Sequence, residues 1–130
     1  MKVFDHEGLE VYQAAIRFVV MANDVVEQLP RGRSYLADQL QRAATSVVLN
    51  IAEGAGEFAP KEKARFYRMA RRSATESAAV LDVSRNLKLL ADERHAAGRD
   101  LLSQVVSILV HRTRTWEEGE GKGRGKGRED

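Results

Sequence analysis

Six basic residues fall within the twelve positions from Lys61 to Arg72, against a single acid, Glu62. Lys61, Arg65, Arg68 and Arg72 stand four, three and four residues apart, a spacing that lines their charges along one face of a helix. Such a row matches phosphates repeated along a nucleic-acid backbone. The competing reading is a solvated face whose charges are paired by acids on neighbouring helices. Repeated around an oligomer, the same row becomes a band of positive potential. The C-terminal GKGRGKGR offers glycine-spaced cations that could wrap phosphates, but acids flank it, and a solubilising role is the first expectation.

Groups suited to catalysis are sparse. His6, His95 and His111 lie in three separate segments, and Asp92 with His95 forms the one carboxylate and histidine pair at a three-residue helical step. A carboxylate-bridged two-metal bundle needs two such pairs and two more inward carboxylates, so His95 is expected in the first turn of a helix without a metal. No HExxH or GxSxG string occurs, and the alternating glycines of the tail lack the interval of GxxxxGK. Glu53 and Glu76 are expected to join helix two to helix three as buried ion-pair partners of an arginine such as Arg42, rather than to move protons. The reading is therefore of a chain that is not an enzyme and takes no cofactor or metal. A hydrolase or metal enzyme has no convergent polar constellation behind it.

Helices must position these residues. In 130 residues there is room for one domain with a real core, no apolar run long enough for a membrane, and no cysteine; a cytoplasmic protein is expected. Apolar residues recur at helical steps in four stretches, about residues 9–29, 34–54, 60–90 and 93–116. The inward face of helix one reads Leu9, Tyr12, Ile16, Val19 and Val26, and Asn23, where a sixth apolar residue would sit, is either a register-fixing polar residue in a packed seam or, as the first expectation, an amide at the helix edge reaching water. Helix two turns Leu36, Leu40, Ala43, Val47 and Ile51 inward, and Gly54 and Gly56 are expected to end it through left-handed backbone. Pro60 opens helix three, whose inward face is Phe66 or Tyr67, Ala70, Ala74, Ser77, Leu81, Ser84 and Leu87. Helix four carries Leu101, Leu102, Val105, Ile108 and Leu109, interrupted near its start by Gly98. Asp5, Ser34 and Asp92 are candidate N-caps. With no strand-like alternation, the expected fold is all-α, an antiparallel up-down-up-down four-helix bundle over residues 1–116, followed by a disordered tail at 117–130. The body carries a charge of +3 without the tail. Apolar runs such as Val19-Val20 and Val47-Val48-Leu49 exceed what one core needs, which points to a partner surface, most simply another copy.

One set of residues adds a further expectation. Arg42-Ala43-Ala44, Ser46-Val47 and Asn50-Ile51-Ala52-Glu53-Gly54, followed by Phe66-Tyr67-Arg68-Met69-Ala70, Ser73 and Glu76, closely resembles the bacterial four helix bundle protein family. Its founding members are encoded by intervening sequences in 23S ribosomal RNA genes, and the accessory variability protein of diversity-generating retroelements looks like a relative. Phe4, Leu9 to Tyr12 and Ala15 extend the resemblance over about residues 4–115. It implies a homopentameric ring without enzymatic activity, and in the retroelement relatives a basic surface associated with nucleic acid and a reverse transcriptase. The motif positions Arg42, Asn50, Glu53, Gly54, Phe66, Ser73 and Glu76 look structural. Val48 stands where the family usually has proline, and Arg72 where it often has glycine.

The leading expectation is a homo-oligomer that binds RNA or other nucleic acid through Lys61, Arg65, Arg68 and Arg72. The alternative is a protein-interaction scaffold or accessory subunit that uses exposed apolar positions such as Val20 or Leu49.

Overall fold

The computed structural model describes residues 4–122, with side chains to residue 116. Among the described residues there are four α-helices, α1 (Glu10–Gln28), α2 (Ser34–Ala55), α3 (Pro60–Asn86) and α4 (Asp92–Lys122), with a 3-10 turn at Arg31–Arg33 before α2. The fold is the expected helical bundle: each helix packs on its sequence neighbours, and α4 closes the cycle against α1. Contacts between neighbours run in opposite sequence order. Gly54 meets Tyr67, Ser46 meets Ser73 and Gln39 meets Glu76, so α2 and α3 are antiparallel. The Trp116–Tyr67 and His95–Asp82 contacts show the same for α3 and α4. Among the described residues no helix is long and apolar enough to cross a membrane.

Four of the five inward positions named for α2 are almost completely buried, and the fifth, Leu36, nearly so. Helix α1 is rotated by about one residue from the expected face. Val11, Ala14, Ala15, Phe18, Ala22 and Val25 are buried, whereas Leu9, Tyr12, Ile16, Val19 and Val26 pack around the core's edge. The apolar stripe of α1 is wide, and the three alanines that let it approach its neighbours closely weigh little in a hydrophobicity pattern. Asn23 is exposed and donates to Glu27, as an edge amide should. On α3, Tyr67 rather than Phe66 points inward, joined by Ala64 and Val80, and Leu87 is exposed. Burial pushes the Tyr67 phenol above its usual range, with Arg112 opposing the shift.

The helix ends depart most from expectation. Gly54 lies inside α2, and Gly56, which follows the last helical residue, has φ −86° and ψ −4°. Neither glycine supplies left-handed backbone. Gly54 is required for space: a Cβ there would lie 2.6 Å from two carbons of the Tyr67 ring. The left-handed residue is Lys88, at φ 64°. It stops α3 at Asn86, short of Leu90, because Leu89 N–H donates to Ser84 C=O and Lys88 N–H to Arg85 C=O, the paired bonds of a glycine-type helix ending. A lysine at that position gives no sequence signal. Lys88→Gly is expected to stabilise the protein by roughly 0.5–1 kcal/mol, since only the Cβ penalty is lost; a lower urea midpoint than wild type would contradict this.

The N-caps also differ. Asp5 lies well before α1, Ser34 is already helical, and neither α1 nor α2 has a side-chain cap; Asp92 is likewise the first residue of α4. Pro60 opens α3 as expected. Helix α2 continues unbroken through Val48. Helix α4 runs on to Lys122, six residues into the stretch expected to be a disordered tail; the remainder of that stretch lies outside the described residues.

Candidate nucleic-acid interface and the groove beside it

Ala64, Tyr67, Ala70 and Ala74 face the core from the first half of α3, so the residues at complementary steps face outward. Lys61, Arg65 and Arg72 are exposed there, and Arg68 is half-buried. Arg65 lies 3.1 Å from Glu62, and its guanidinium stacks 4.5 Å from the centre of the Phe66 ring. Among the described residues no ion pair engages Lys61 or Arg72. Lys63 is turned elsewhere: its ammonium donates to the Gly54 and Ala55 carbonyls at 3.5 and 3.3 Å, capping the end of α2, and lies 5.9 Å over the Trp116 ring. Lys61, Arg65 and Arg72 in the row picked out by spacing thus differ in orientation from Lys63, which helps hold the fold.

Beside this row a groove of about 660 Å³ opens between α2 and α3. Arg42, Asn50, Ser73 and Glu76 line it, together with Ser46, Gln39 and Leu49. Four of the seven motif positions therefore meet on the surface, where core packing does not account for them. The Ser46 and Ser73 hydroxyls bridge the helices at 2.8 Å, and the Asn50 amide donates to the Ser46 hydroxyl and carbonyl at 3.1 and 3.0 Å. Small residues at this seam let the helices come close enough for that bridge. Gln39 donates to Glu76 at 2.6 Å.

The expected buried ion pairs to Arg42 are not formed. Glu53, Glu76 and Arg42 are all exposed, and Gln39 occupies the place beside Glu76 that an arginine was expected to take. Gly54 and Phe66 belong to the Tyr67 contact below the groove. The groove was missed in sequence because its two walls are 27 residues apart at Ser46 and Ser73. The available signal was Ser46 and Asn50 at one helical step, polar residues beside the apolar run of Val47, Val48 and Leu49.

Neither wall offers nucleophilic chemistry. The hydrogen-bond partners of the Ser46 hydroxyl are a second hydroxyl and an amide, neither of which is a base. A histidine and carboxylate contact lies elsewhere and does not use Asp92, the acid at a helical step from His95. His95 Nε2 is 2.7 Å from Asp82 Oδ1 across α3 and α4, while Asp92 lies 3.3 Å from Arg85. Arg85 also faces His95 Nδ1 at 3.4 Å, which fits a neutral ring that donates to Asp82 and accepts from Arg85. His95 is buried, and this arrangement clips the start of α4 to the end of α3.

A protein-family model described as 23S rRNA-intervening sequence protein matches residues 7–111, from just before α1 to within α4. The search of curated proteins returned no match.

Proposed function

The chain belongs to the 23S rRNA-intervening sequence protein family, and on that premise we propose that it is a non-enzymatic homo-oligomer of four-helix bundles that binds RNA or other nucleic acid through the outer face of α3. The observation that carries this reading is the outward row of Lys61, Arg65, Arg68 and Arg72, with no ion pair at Lys61 or Arg72 among the described residues. Exposed cations such as Lys61 and Arg72 on one face raise the local potential and release counterions when phosphates replace them.

Self-association is supported by the neighbouring face. Stepping three and four residues from Ser73 and Glu76, α3 presents Phe66, Met69, Val83 and Leu87. Met69, Val83 and Leu87 are exposed, as is Leu49 across the groove. This is a second helical stripe beside the one that faces the core, of the kind that packs on another helix. A second copy is its simplest occupant, and five copies are what the family resemblance implies. If instead the stripe receives a different protein, the chain is an accessory scaffold, and its binding would depend weakly on salt.

Labelled structured RNA and duplex DNA, titrated across a salt series with the mass of the protein measured in the same buffer, tests the reading. Four phosphate contacts give a log–log salt slope of about −3.5 on a duplex, hence roughly a hundredfold weaker binding at ~200 mM than at ~50 mM salt. Arg65→Glu with Arg72→Glu is expected to weaken binding to all sequences alike and to reduce the slope by about half. Full binding by the doubly reversed protein would remove this site, and a single-copy mass would remove the oligomer.

A further inference from the structure

Phe58 stands in the connection between α2 and α3 with 91% of its surface exposed, more than any other large apolar side chain among the described residues. The backbone that follows it is restricted: Ala59, before proline, is extended at φ −75° and ψ 129°, and Pro60 is the first residue of α3, so Phe58 precedes the cationic row by two residues of constrained chain. Lys61 follows three residues later, and one turn further on Arg65 lies stacked against Phe66. Two rings outside the core, Phe58 and Phe66, thus accompany the cations between Phe58 and Arg72.

Duplexes present phosphates to such a row but keep their bases stacked inside. Unpaired strands offer both phosphates and free base faces. An aromatic ring that buries almost nothing in its own fold fits the second kind of ligand, because every base has a face that can lie on it. The loop's electrostatics add a direction. A cleft of about 300 Å³ next to the same connection is lined by Asp5, Glu53 and Glu57, which repel phosphates, so a strand's backbone is favoured along Lys61 and Arg65 instead.

We propose that Phe58 is a stacking platform for an unpaired base, and that the ligand of the α3 row is single-stranded nucleic acid. This rests on the proposed phosphate binding by that row and specifies its substrate class.

The test is fluorescence anisotropy with a uridine 12-mer, a thymidine 12-mer of the same length and a blunt duplex, at low salt. Proteins compared are wild type, Phe58→Ala, Phe58→Leu, Phe58→Trp and the Arg65→Glu/Arg72→Glu pair. Phe58 is exposed, so its variants are expected to fold, which far-ultraviolet circular dichroism checks. The expected result is tighter binding of single strands than of duplex by wild type. Phe58→Ala and Phe58→Leu should then lose roughly 5- to 150-fold on single strands, as one lost base stack implies, with the duplex affinity and salt slope unchanged and Phe58→Trp binding like wild type. The two single-strand arms decide between RNA and DNA. Single-strand binding that survives Phe58→Ala but not the charge reversal overturns the platform and leaves the row standing. Leucine performing as well as phenylalanine would replace stacking with an unspecific apolar contact and overturn it too. Binding untouched by the charge reversal overturns the phosphate row itself.

Discussion

Gly54→Ala is expected to lower the stability of the bundle by about 2 kcal/mol, although alanine is the better helix former: overpacking strain of ~3 kcal/mol outweighs a propensity gain of ~1 kcal/mol. The new methyl would meet the Tyr67 ring at 2.6 Å and Phe66 Cβ at 3.2 Å. The ring has nowhere to turn. It is 1% exposed and packs edge-on against Trp116 at a centroid distance of 4.8 Å and an interplanar angle of 63°. Gly56 and Gly32 provide the contrast, since a Cβ at Gly56 makes ordinary contacts and one at Gly32 meets nothing within 4 Å. Alanine at either should change stability by less than about 0.5 kcal/mol, as for substitutions away from special features. Urea unfolding of the three variants decides the matter. A damaging Gly56→Ala beside a harmless Gly54→Ala would restore the glycines to the helix-ending role that their place in the sequence suggests.

The second large effect concerns the other partner. Tyr67→Ala removes a buried ring that joins α2, α3 and α4, and is expected to cost about 4 kcal/mol. Trp116 is the only tryptophan, so its emission should shift to the red as the site opens. The informative quantity is the coupling. With the ring gone, Gly54→Ala has room and should become stabilising by up to ~1 kcal/mol. The double variant then departs from the sum of the two single variants by about 3 kcal/mol, the range of side chains in direct contact. Strict additivity would show that Gly54 and Tyr67 do not constrain each other.

These two residues also illustrate why the helices could be read in advance and their contacts could not. The face of α2 was legible because leucine, valine and isoleucine repeat at helical steps with little competition. The face of α1 was read about one residue out of phase, because Ala14, Ala15 and Ala22 are buried by close helix approach rather than by their own hydrophobicity. Gly54 invites the wrong cause, since left-handed backbone and lack of space call for the same residue. Lys88 had no signal at all.

For the candidate site the division is similar. The cationic row was legible because helical periodicity alone sets its spacing, and the outward orientation of that face follows from the alanines and tyrosine opposite. The groove at Ser46, Asn50, Ser73 and Glu76 was not, because its walls come from two helices whose register depends on how small residues let them meet. Asp82 was not legible as the partner of His95 for the same reason: the carboxylate at a helical step in sequence is Asp92, whereas the turn at Lys88 brings Asp82 into contact in space.

By itself the sequence determined the four helices, most of the inward faces of α2 and α3, the start of α3 at Pro60 and the row of charge along it. All of these depend on residues within a few turns of one another, where helical geometry is fixed by the backbone. The tertiary structure alone decided which glycine is needed for space, where α3 stops, which polar residues share a groove and which carboxylate holds His95. Each of those is a distance between side chains on different segments, set by the packing of the whole bundle.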